Sequence, residues 1–409
     1  MNKNEIIYGI LVASNDYDRF LKLNLKIYKK IFSEFGNFYI VNVSNLLISK
    51  DKIILKERKK KFFSKKIKVF KPKNKNDFLN FFNNKTFVVF NNLGRNLSNL
   101  KVNFYLNKIN YLQILLMNYG HINNAVELYK QKNIKYVNFT GLKFYIRRKL
   151  INYLYRLLIL LNIFPKIDIY FESSNQIFNN TYKKIKFRKK IERFIPFEIN
   201  YFRNIFKINS RSYDNFKKIK KSQSKYICFV DSNIDNLDVV LREGRISNKL
   251  KILYYSKLKK LFDLLKLIFK KKILICLHPK NKDPMIGKIF KNYDMVKFKT
   301  PEIIRKSYIV LFHDSSAALD AIILKKNLLC IRSKILGNYW NDRIDQYIKK
   351  LDLPYINLDK EYKVNKKTLF KKFRSARIKQ QKYIINNLQI DNNKLGEDKV
   401  IEIIKKFTK

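Results

Sequence analysis

Short apolar runs that alternate with helical segments limit the folds open to this chain more than any other feature. In the second half, the runs YICFV, ILICL, YIVLF and LLCI are separated by segments with helical periodicity or by polar turns. Strands separated by helices at this spacing form a parallel sheet covered by helices on both faces. The first half repeats the alternation, with apolar runs at 6–12, 37–43, 86–90 and 167–171. We therefore predict two doubly wound α/β domains that face each other across a cleft.

A polar stretch marks the predicted boundary between the domains. Residues 207–225, KINSRSYDNFKKIKKSQSK, are rich in charge and lack apolar periodicity, as linkers do. The predicted organisation is an N-terminal domain over 1–206, a linker over 207–225 and a C-terminal domain over 226–409. Within the first domain, the pattern predicts a basic loop over 50–75 and a helix over 102–119.

The charge balance narrows the classes of partner. The chain has 409 residues, with 88 Lys and Arg against 32 Asp and Glu, and a formal net charge of +56. A surface this basic attracts nucleic acid, an anionic membrane or phosphate-rich substrates. A bias towards A/T-rich codons explains the same composition, because Lys, Asn, Ile, Phe and Tyr are enriched together. Nucleic acid is the least favoured partner, since the sequence has no zinc-finger spacing and no aromatic RNA-binding motif.

The three cysteines lie in apolar, strand-like runs. Cys228, Cys276 and Cys330 occupy YICFV, ILICL and LLCIR. Their odd number and wide spacing disfavour a disulfide framework or a zinc site. We expect them to be buried thiols in a reducing, cytoplasmic compartment.

One segment has a pattern related to membranes. The first residues, MNKNEIIYGILVAS, are interrupted by Glu5 and are predicted to be a strand rather than a signal peptide. No apolar run is long enough to span a bilayer. The longest, residues 150–164, contains Arg156 and follows three consecutive basic residues. It fits either a helix lying in the membrane interface or a helix buried in the N-terminal domain, and the sequence leaves both open.

Two of the three histidines follow predicted strands of the same sheet. His278 and Pro279 come directly after ILICL, and the proline ends the strand and fixes the turn. Ligands of open α/β sheets bind beyond the carboxyl ends of the strands. An imidazole there can donate a hydrogen bond to a phosphate oxygen, or carry a charge if a phosphate raises its pKa. The alternative is a surface histidine without a ligand.

The other histidine of this sheet opens a cluster of small polar residues. His313, Asp314, Ser315 and Ser316 follow YIVLF and precede a predicted helix. Hydroxyls and free N–H groups at the start of a helix form an anion site. A serine that caps a helix without a ligand fits the same pattern. Asp314 disfavours a phosphate unless it binds a sugar hydroxyl or a cation.

Carboxylates that can act as a general base follow the first strand of the second domain. Asp231, Asp235, Asp238 and Glu243 lie within FVDSNIDNLDVVLREGR, and each is either a base or part of a solvated acidic loop. The first domain has polar residues after predicted strands at 14–16, 91–96 and 172–175. No Walker A loop, HExxH or GxSxG motif is present. Because there is also no well-placed DxD motif, we predict a reaction without a metal or cofactor.

These motifs resemble those of a known family. The runs ILICLHPKN and KTPEIIRKSYIVLFHDSSAALDAIILKKNLLCI resemble the nucleotide-binding half of GT-B-fold glycosyltransferases, especially bacterial surface-polysaccharide enzymes of the sialyltransferase-like and capsule-assembly type. The resemblance covers residues 226–335. It implies that His278, Ser315 and Ser316 contact the phosphate of a nucleotide donor. Those families carry the catalytic base in an acidic-acidic-Gly motif, whereas this chain has Arg-Glu-Gly at 242–244, close to the His-Pro pair.

The sequence therefore predicts a GT-B-like glycosyltransferase with two Rossmann-like domains. It would move a sugar from a nucleotide-activated donor to a surface glycan or a lipid-linked acceptor at the inner membrane face. The predicted catalytic residues are Asp231 and Glu243. The residues predicted to bind the donor phosphate are His278, Pro279, His313, Ser315 and Ser316. The alternatives are transfer of a glycerol-phosphate-type group from a nucleotide carrier, and a basic polyanion-binding protein without catalytic activity.

Overall fold

A computed structural model gives the fold of most of the chain. It describes residues 5–13, 17, 21, 24–47, 67–93, 97–117, 139–175, 178–179, 202–216, 224–235, 240, 244–281, 283–389 and 393–408, with the backbone alone at 139–145, 148, 160 and 202. The chain divides into two compact units. The first comprises Met1–Asn118, Tyr145–Arg211 and Gln389–Lys409, and the second comprises Tyr119–Phe144 and Ser212–Leu388.

Each unit is built on one parallel sheet. The strands of the first unit are β1 (Glu5–Val12), β2 (Phe38–Asn42), β3 (Lys68–Phe70), β4 (Lys85–Asn91), β5 (Asn110–Met117), β6 (Ile167–Glu172) and β7 (Phe202–Lys207). Those of the second are β8 (Tyr226–Val230), β9 (Lys272–Leu277), β10 (Asp294–Lys297), β11 (Ser307–Phe312), β12 (Asn327–Arg332) and β13 (Tyr355–Asn357). The orders are β3-β2-β1-β4-β5-β6-β7 and β10-β9-β8-β11-β12-β13.

Helices connect the strands and cover the sheets. They are α1 (Leu25–Phe35), α2 (Lys75–Phe81), α3 (Leu100–Leu106), α4 (Phe139–Leu160), α5 (Arg211–Phe216), α6 (Asn248–Phe269), α7 (Pro284–Ile289), α8 (Thr300–Arg305), α9 (Ala317–Ile323), α10 (Gly337–Leu351), α11 (Lys366–Asn387) and α12 (Gly396–Thr408).

Both sheets have the doubly wound, Rossmann-like strand order. In each, the chain first builds outwards in one direction and then crosses back to build in the other, so a topological switch point lies between β1 and β4 and another between β8 and β11. Every strand pairing is parallel. This confirms the predicted class of two Rossmann-like domains.

The central strands are buried on both faces, which explains why the sequence predicted them correctly. In β8 and β11 nearly every residue is buried, because helices cover both sides of a parallel sheet, and such strands appear as unbroken apolar runs. An unbroken apolar run of this kind also led to the predicted helix over 102–119, and the second half of that prediction is wrong. The apolar run at 110–117 is the strand β5, and only Leu100–Leu106 is helical.

The C-terminal helix belongs to the first unit. Val400, Ile401 and Ile404 of α12 are buried in one cluster with Ile27 and Ile31 of α1. The pairing is reinforced by an ion pair of 2.7 Å from Lys405 to Glu34. The second unit therefore ends at Leu388, which differs from the domain of 226–409 expected from the sequence, because the apolar face of α12 completes the core of the first unit.

Two other expectations concern the linker and the basic loop. Helix α5 occupies 211–216 within the expected linker, and 217–223 lie outside the described residues. Most of the expected loop over 50–75 is also outside them, but 68–70 form the edge strand β3.

The cysteines are buried, as predicted. Cys228 on β8 and Cys276 on β9 are neighbours across the sheet, with their sulfur atoms 3.5 Å apart. Because the two residues are far apart along the chain, the sequence did not predict this contact.

Candidate functional site

The predicted site residues converge on one edge of the second sheet. His278 follows β9, Asp231 follows β8, and the serine pair follows β11 by two residues. These three strands are adjacent and parallel, with β8 in the centre. Their carboxyl ends therefore meet at the same edge, with β9 and β11 about 10 Å apart. The switch point between β8 and β11, where ligands of such sheets bind, lies within this group.

A tight turn holds the histidine at the sheet edge. The carbonyl oxygen of His278 accepts a hydrogen bond of 2.9 Å from the amide of Asn281. Pro279 occupies the second position of this turn, where its fixed φ is favourable. Asn281 is buried, and its carbonyl oxygen accepts a hydrogen bond of 2.8 Å from Lys297 at the end of β10. The turn is thus tied to the neighbouring strand.

Asp231 connects the ends of β8 and β9. Its Oδ2 accepts hydrogen bonds from the backbone amide of His278 at 3.0 Å and from the side-chain amide of Asn281 at 2.7 Å. Its Oδ1 accepts one from the amide of Asn233 at 3.0 Å. The carboxylate is buried and both oxygens are engaged. This geometry favours a positioning role for Asp231 over the catalytic role expected from the sequence.

His278 presents a hydrogen-bond donor. Its Nδ1 accepts a hydrogen bond of 3.2 Å from the amide of Lys280, so the neutral ring carries its proton on Nε2. Burial lowers the pKa of His278; the nearby Asp231 carboxylate opposes this shift and Lys280 adds to it. Nε2 has no hydrogen-bond partner among the described residues. The ring is therefore neutral at pH 7 and its Nε2–H is available to a ligand.

The two serines differ in their hydrogen bonding. The hydroxyl oxygen of Ser315 accepts a hydrogen bond of 3.2 Å from the amide of Ala317. Ser316 is exposed, and its hydroxyl makes no capping bond to α9. Helix α9 has only seven residues, so its N-terminus alone does not form an anion site. The hydroxyl of Ser316 is the freer of the two donors.

The charge of Asp314 is compensated within the unit. Its carboxylate forms an ion pair with the guanidinium of Arg343 on α10, which also donates a hydrogen bond of 3.0 Å to Tyr339. Burial opposes the positive charge of Arg343, but the pairing with Asp314 outweighs burial and raises the pKa of the guanidinium. Asp314 therefore does not present a free negative charge beside Ser315.

His313 is a core residue rather than a phosphate ligand. It is 2% exposed, and its Nε2 is hydrogen-bonded to the hydroxyl of Tyr254 on α6. Phe229 and Trp340 pack against the ring. Burial lowers the pKa of His313 to about 3, so the ring is neutral. Since the ring is buried and packed against these side chains, we leave His313 out of the proposed site.

The second unit also contains a buried lysine that contacts two carboxylates. Lys251 on α6 forms an ion pair with Asp235, and its Nζ lies 3.6 Å from a carboxylate oxygen of Asp283. Sequence reasoning missed this triad, because a lysine in a long basic helix carries no sign of burial. The hydroxyl of Ser232 is buried without a partner in the described part of the unit. Two further expected carboxylates, Asp238 and Glu243, lie outside the described residues.

The first unit has polar groups at the strand ends that the sequence indicated. Asn91, at the end of β4, donates a hydrogen bond of 2.9 Å to Gln113, and both line a cavity of about 130 Å³. Glu172, at the end of β6, is buried and accepts hydrogen bonds from Tyr170 and from the amide of Ser174. Burial raises the pKa of Glu172, while these hydrogen bonds oppose the shift. Residues 14–16 and 94–96 are outside the described part of the chain.

Comparison with known structures gives distant similarities. The chain is similar to the wall teichoic acid polymerase TagF, with 14% identity, a TM-score of 0.48, and coverage of 100% of this chain and 90% of that chain. It is similar to UDP-GlcNAc 2-epimerase from Methanocaldococcus jannaschii, with 13% identity, a TM-score of 0.44, and coverage of 98% and 99%. It is also similar to MnaA of S. aureus, solved with UDP, with 12% identity, a TM-score of 0.47, and coverage of 98% and 96%.

No protein-family model matches the chain, and no curated protein sequence matches it. Within the described ranges, no three His, Cys, Asp or Glu side chains are grouped so that they could bind a metal ion. Helices of the described part are too short or too polar to cross a membrane.

Proposed function

We propose that the chain is a glycosyltransferase that binds a nucleotide-activated sugar at the carboxyl edge of the second sheet. One observation carries the proposal: His278 and the serines at 315–316 follow parallel strands on either side of the same central strand. The Nε2–H of His278 and the hydroxyl of Ser316 are donors without partners in the described chain. Donors of this kind suit the oxygens of a phosphate.

The local electrostatics support an anionic ligand. The carboxylates that follow β8 and β11 are both engaged: Asp231 accepts three N–H hydrogen bonds, and Asp314 forms an ion pair with Arg343. A phosphate would therefore meet donors rather than uncompensated negative charge. The buried, unpartnered hydroxyl of Ser232 at the switch point is a further polar group that a bound nucleotide or water can satisfy.

These contacts support roles for the residues after β8, β9 and β11, and the base is proposed from the sequence. We assign His278, Ser315 and Ser316 to the donor phosphate, with Pro279 and Asp231 as positioning residues. Glu243 is the proposed base that deprotonates the acceptor hydroxyl. The acceptor is proposed to be a glycan or a lipid-linked sugar, and the reaction to need no metal. The cytoplasm is the proposed compartment, since the buried thiols suit a reducing environment.

The first experiment measures thermal unfolding with CMP, UDP, GDP and a short RNA. One nucleotide is expected to raise Tm by about 5–10 °C at a hundredfold excess over its Kd. His278→Gln should remove most of this shift, because the amide cannot reproduce the geometry of the imidazole donor. Lys272→Gln is the matched control, since Lys272 is exposed at the opposite end of the same strand, and it should leave the shift intact.

The second experiment tests turnover with the sugar donors of the nucleotide that binds. Glu243→Gln should abolish consumption of the donor while leaving the nucleotide-induced shift in Tm unchanged. A protein stabilised by RNA alone, in a manner that weakens steeply with salt, would instead be a polyanion-binding protein, and the transferase proposal would be abandoned.

A further inference from the structure

Helix α4 exposes a continuous apolar stripe. Ile146, Leu150, Tyr153, Leu154, Leu157 and the adjoining Leu161 are each between 37% and 63% exposed. Successive residues of an α-helix are rotated by about 100°, which places all six on one face about 100° wide. Single exposed apolar residues are ordinary, but a contiguous stripe of six marks an interaction surface.

The opposite face of the same helix is packed into the first unit. Tyr155 and Ile159 are buried in a cluster with Phe164, and Ile151 and Leu158 pack against them. The rings of Tyr155 and Phe164 lie 5.1 Å apart. The helix is therefore held by one side, and the stripe is additional apolar surface rather than a displaced part of this core.

Basic side chains border the stripe on both sides. Arg147 lies on one edge of it, and Lys149 and Arg156 lie on the other, all exposed. The helix sequence, FTGLKFYIRRKLINYLYRLLIL, has five basic residues and no acidic one. An apolar face flanked by cations is the pattern of a helix that lies in the interface of an anionic bilayer. The formal net charge of +56 also favours binding to an anionic membrane.

The charge pattern disfavours a second copy of the chain as the occupant. In a two-fold symmetric dimer the same surface meets itself, so the basic borders of two helices would be brought together. A lipid surface carries the opposite charge and has no such conflict.

We propose that α4 docks the protein on an anionic membrane by inserting this stripe into the headgroup region. The helix lies parallel to the bilayer plane, the stripe faces the acyl chains, and the flanking cations contact lipid phosphates. The docking needs no nucleotide and no catalysis, so it stands or falls independently of the proposed transferase activity.

Flotation with vesicles tests the docking directly. The full chain is mixed with vesicles of phosphatidylcholine alone or with 30% phosphatidylglycerol, a composition chosen to be about that of an anionic membrane. The wild type is expected to float with the anionic vesicles. Leu150→Glu with Leu157→Glu should reduce the partition coefficient at least about tenfold, since two charges enter the apolar face. Neutralising Arg147, Lys149 and Arg156 to Gln should reduce it on the order of 100-fold.

Matched controls separate local from global effects. Leu267→Glu with Ile378→Glu makes the same charge change at leucine and isoleucine side chains that are 76% and 77% exposed on other helices. Lys371, Lys372 and Lys382, all exposed on α11, are the controls for charge removal. Both control proteins should bind like the wild type.

Three results would overturn the proposal. One is a wild type that stays with the soluble fraction in the presence of anionic vesicles. Another is a control variant that loses binding as strongly as its partner variant on α4. The third is a dimer in light scattering that the Leu150→Glu, Leu157→Glu variant disrupts, which would assign the stripe to contact between copies.

Discussion

The carboxylate of Asp231 accepts a hydrogen bond of 2.7 Å from the side-chain amide of Asn281, which links the end of β8 to the turn after β9. The same carboxylate oxygen, Oδ2, accepts a hydrogen bond of 3.0 Å from the backbone amide of His278. One buried carboxylate therefore holds the backbone of the turn at both His278 and Asn281. Hydrogen bonds to a buried charge are stronger than those to neutral groups, so this contact is a stable support for the edge of the sheet.

Replacement of Asp231 by Asn should destabilise the second unit. The variant puts an N–H₂ group where three N–H donors now converge, and at least one donor loses its acceptor. The expected loss is about 2–4 kcal/mol, or about 5–15 °C in Tm for a unit of this size. Thermal unfolding of the variant is compared with Asp294→Asn, which changes an exposed carboxylate at the start of β10. Equal Tm values for the two variants would contradict the positioning role.

The topology of the second unit was predictable, because its central strands are buried on both faces and end in polar turns. The sequence places His278 and the serines after strands, and the strand order brings them to one edge. It does not distinguish His278 from His313, since each directly follows a buried strand. The distinction depends on the packing of Tyr254, Phe229 and Trp340 around one ring, which is a property of distant residues.

Asn281 and Lys251 show the other limit of the sequence. In the sequence, Asn281 resembles an ordinary turn residue. Its hydrogen bond to Asp231 is evident only once β8 and β9 are paired. Lys251 belongs to a helix with many lysines, and only its packing against Asp235 and Asp283 sets it apart. Pairings between residues far apart along the chain leave no local pattern.

The pH dependence of stability should report the buried state of His313. Its folded pKa is about 3, against about 6.5 in an unfolded chain. Between these values the unfolded state binds the proton and the folded state does not, so stability falls as pH falls below 6.5. The contribution of His313 at pH 5 should be unfavourable by about 2 kcal/mol relative to pH 8.

Urea unfolding of the wild type and His313→Gln at pH 8 and pH 5 isolates this contribution. Gln can donate a hydrogen bond to Tyr254 or accept one from it, but it does not titrate, so the variant should lose less stability on acidification than the wild type. A stability difference between the two proteins that is the same at both pH values would show that His313 is accessible to protons in the folded state.

Replacement of Lys251 by Met should be among the more damaging single changes in the second unit. The side chain of Lys251 is 8% exposed and lies against Asp235 and Asp283, so its removal leaves two carboxylates without their cation. Breaking a buried pair in this way costs about 3–5 kcal/mol. Chemical denaturation measures the loss, with Lys249→Met, an exposed position on the same helix, as the control.

A second substitution tests the mechanism of that loss. Adding Asp235→Asn to Lys251→Met removes one of the uncompensated charges and should restore part of the stability. If the double variant is instead less stable by the sum of the two single effects, the charges do not interact and the triad has no energetic coupling.

Glu172 should give the first unit a pH dependence of the opposite sign. Burial raises its folded pKa, so the folded state holds a proton that the unfolded state releases, and stability falls as pH rises from the unfolded value through the folded one. Glu172→Gln cannot ionise and removes this term. The stability of the wild type minus that of Glu172→Gln should therefore decrease between pH 4 and pH 8. Asp168, whose pKa burial also raises, is present in both proteins and cancels in the difference.

Tyr170→Phe provides an independent check on the same carboxyl group. The hydroxyl of Tyr170 donates to Glu172 and opposes the rise in its pKa. Without that donor the pKa should rise further, and the decrease in stability should extend to higher pH. A variant whose stability profile parallels that of the wild type at every pH would show that the hydrogen bond does not stabilise the charged carboxylate.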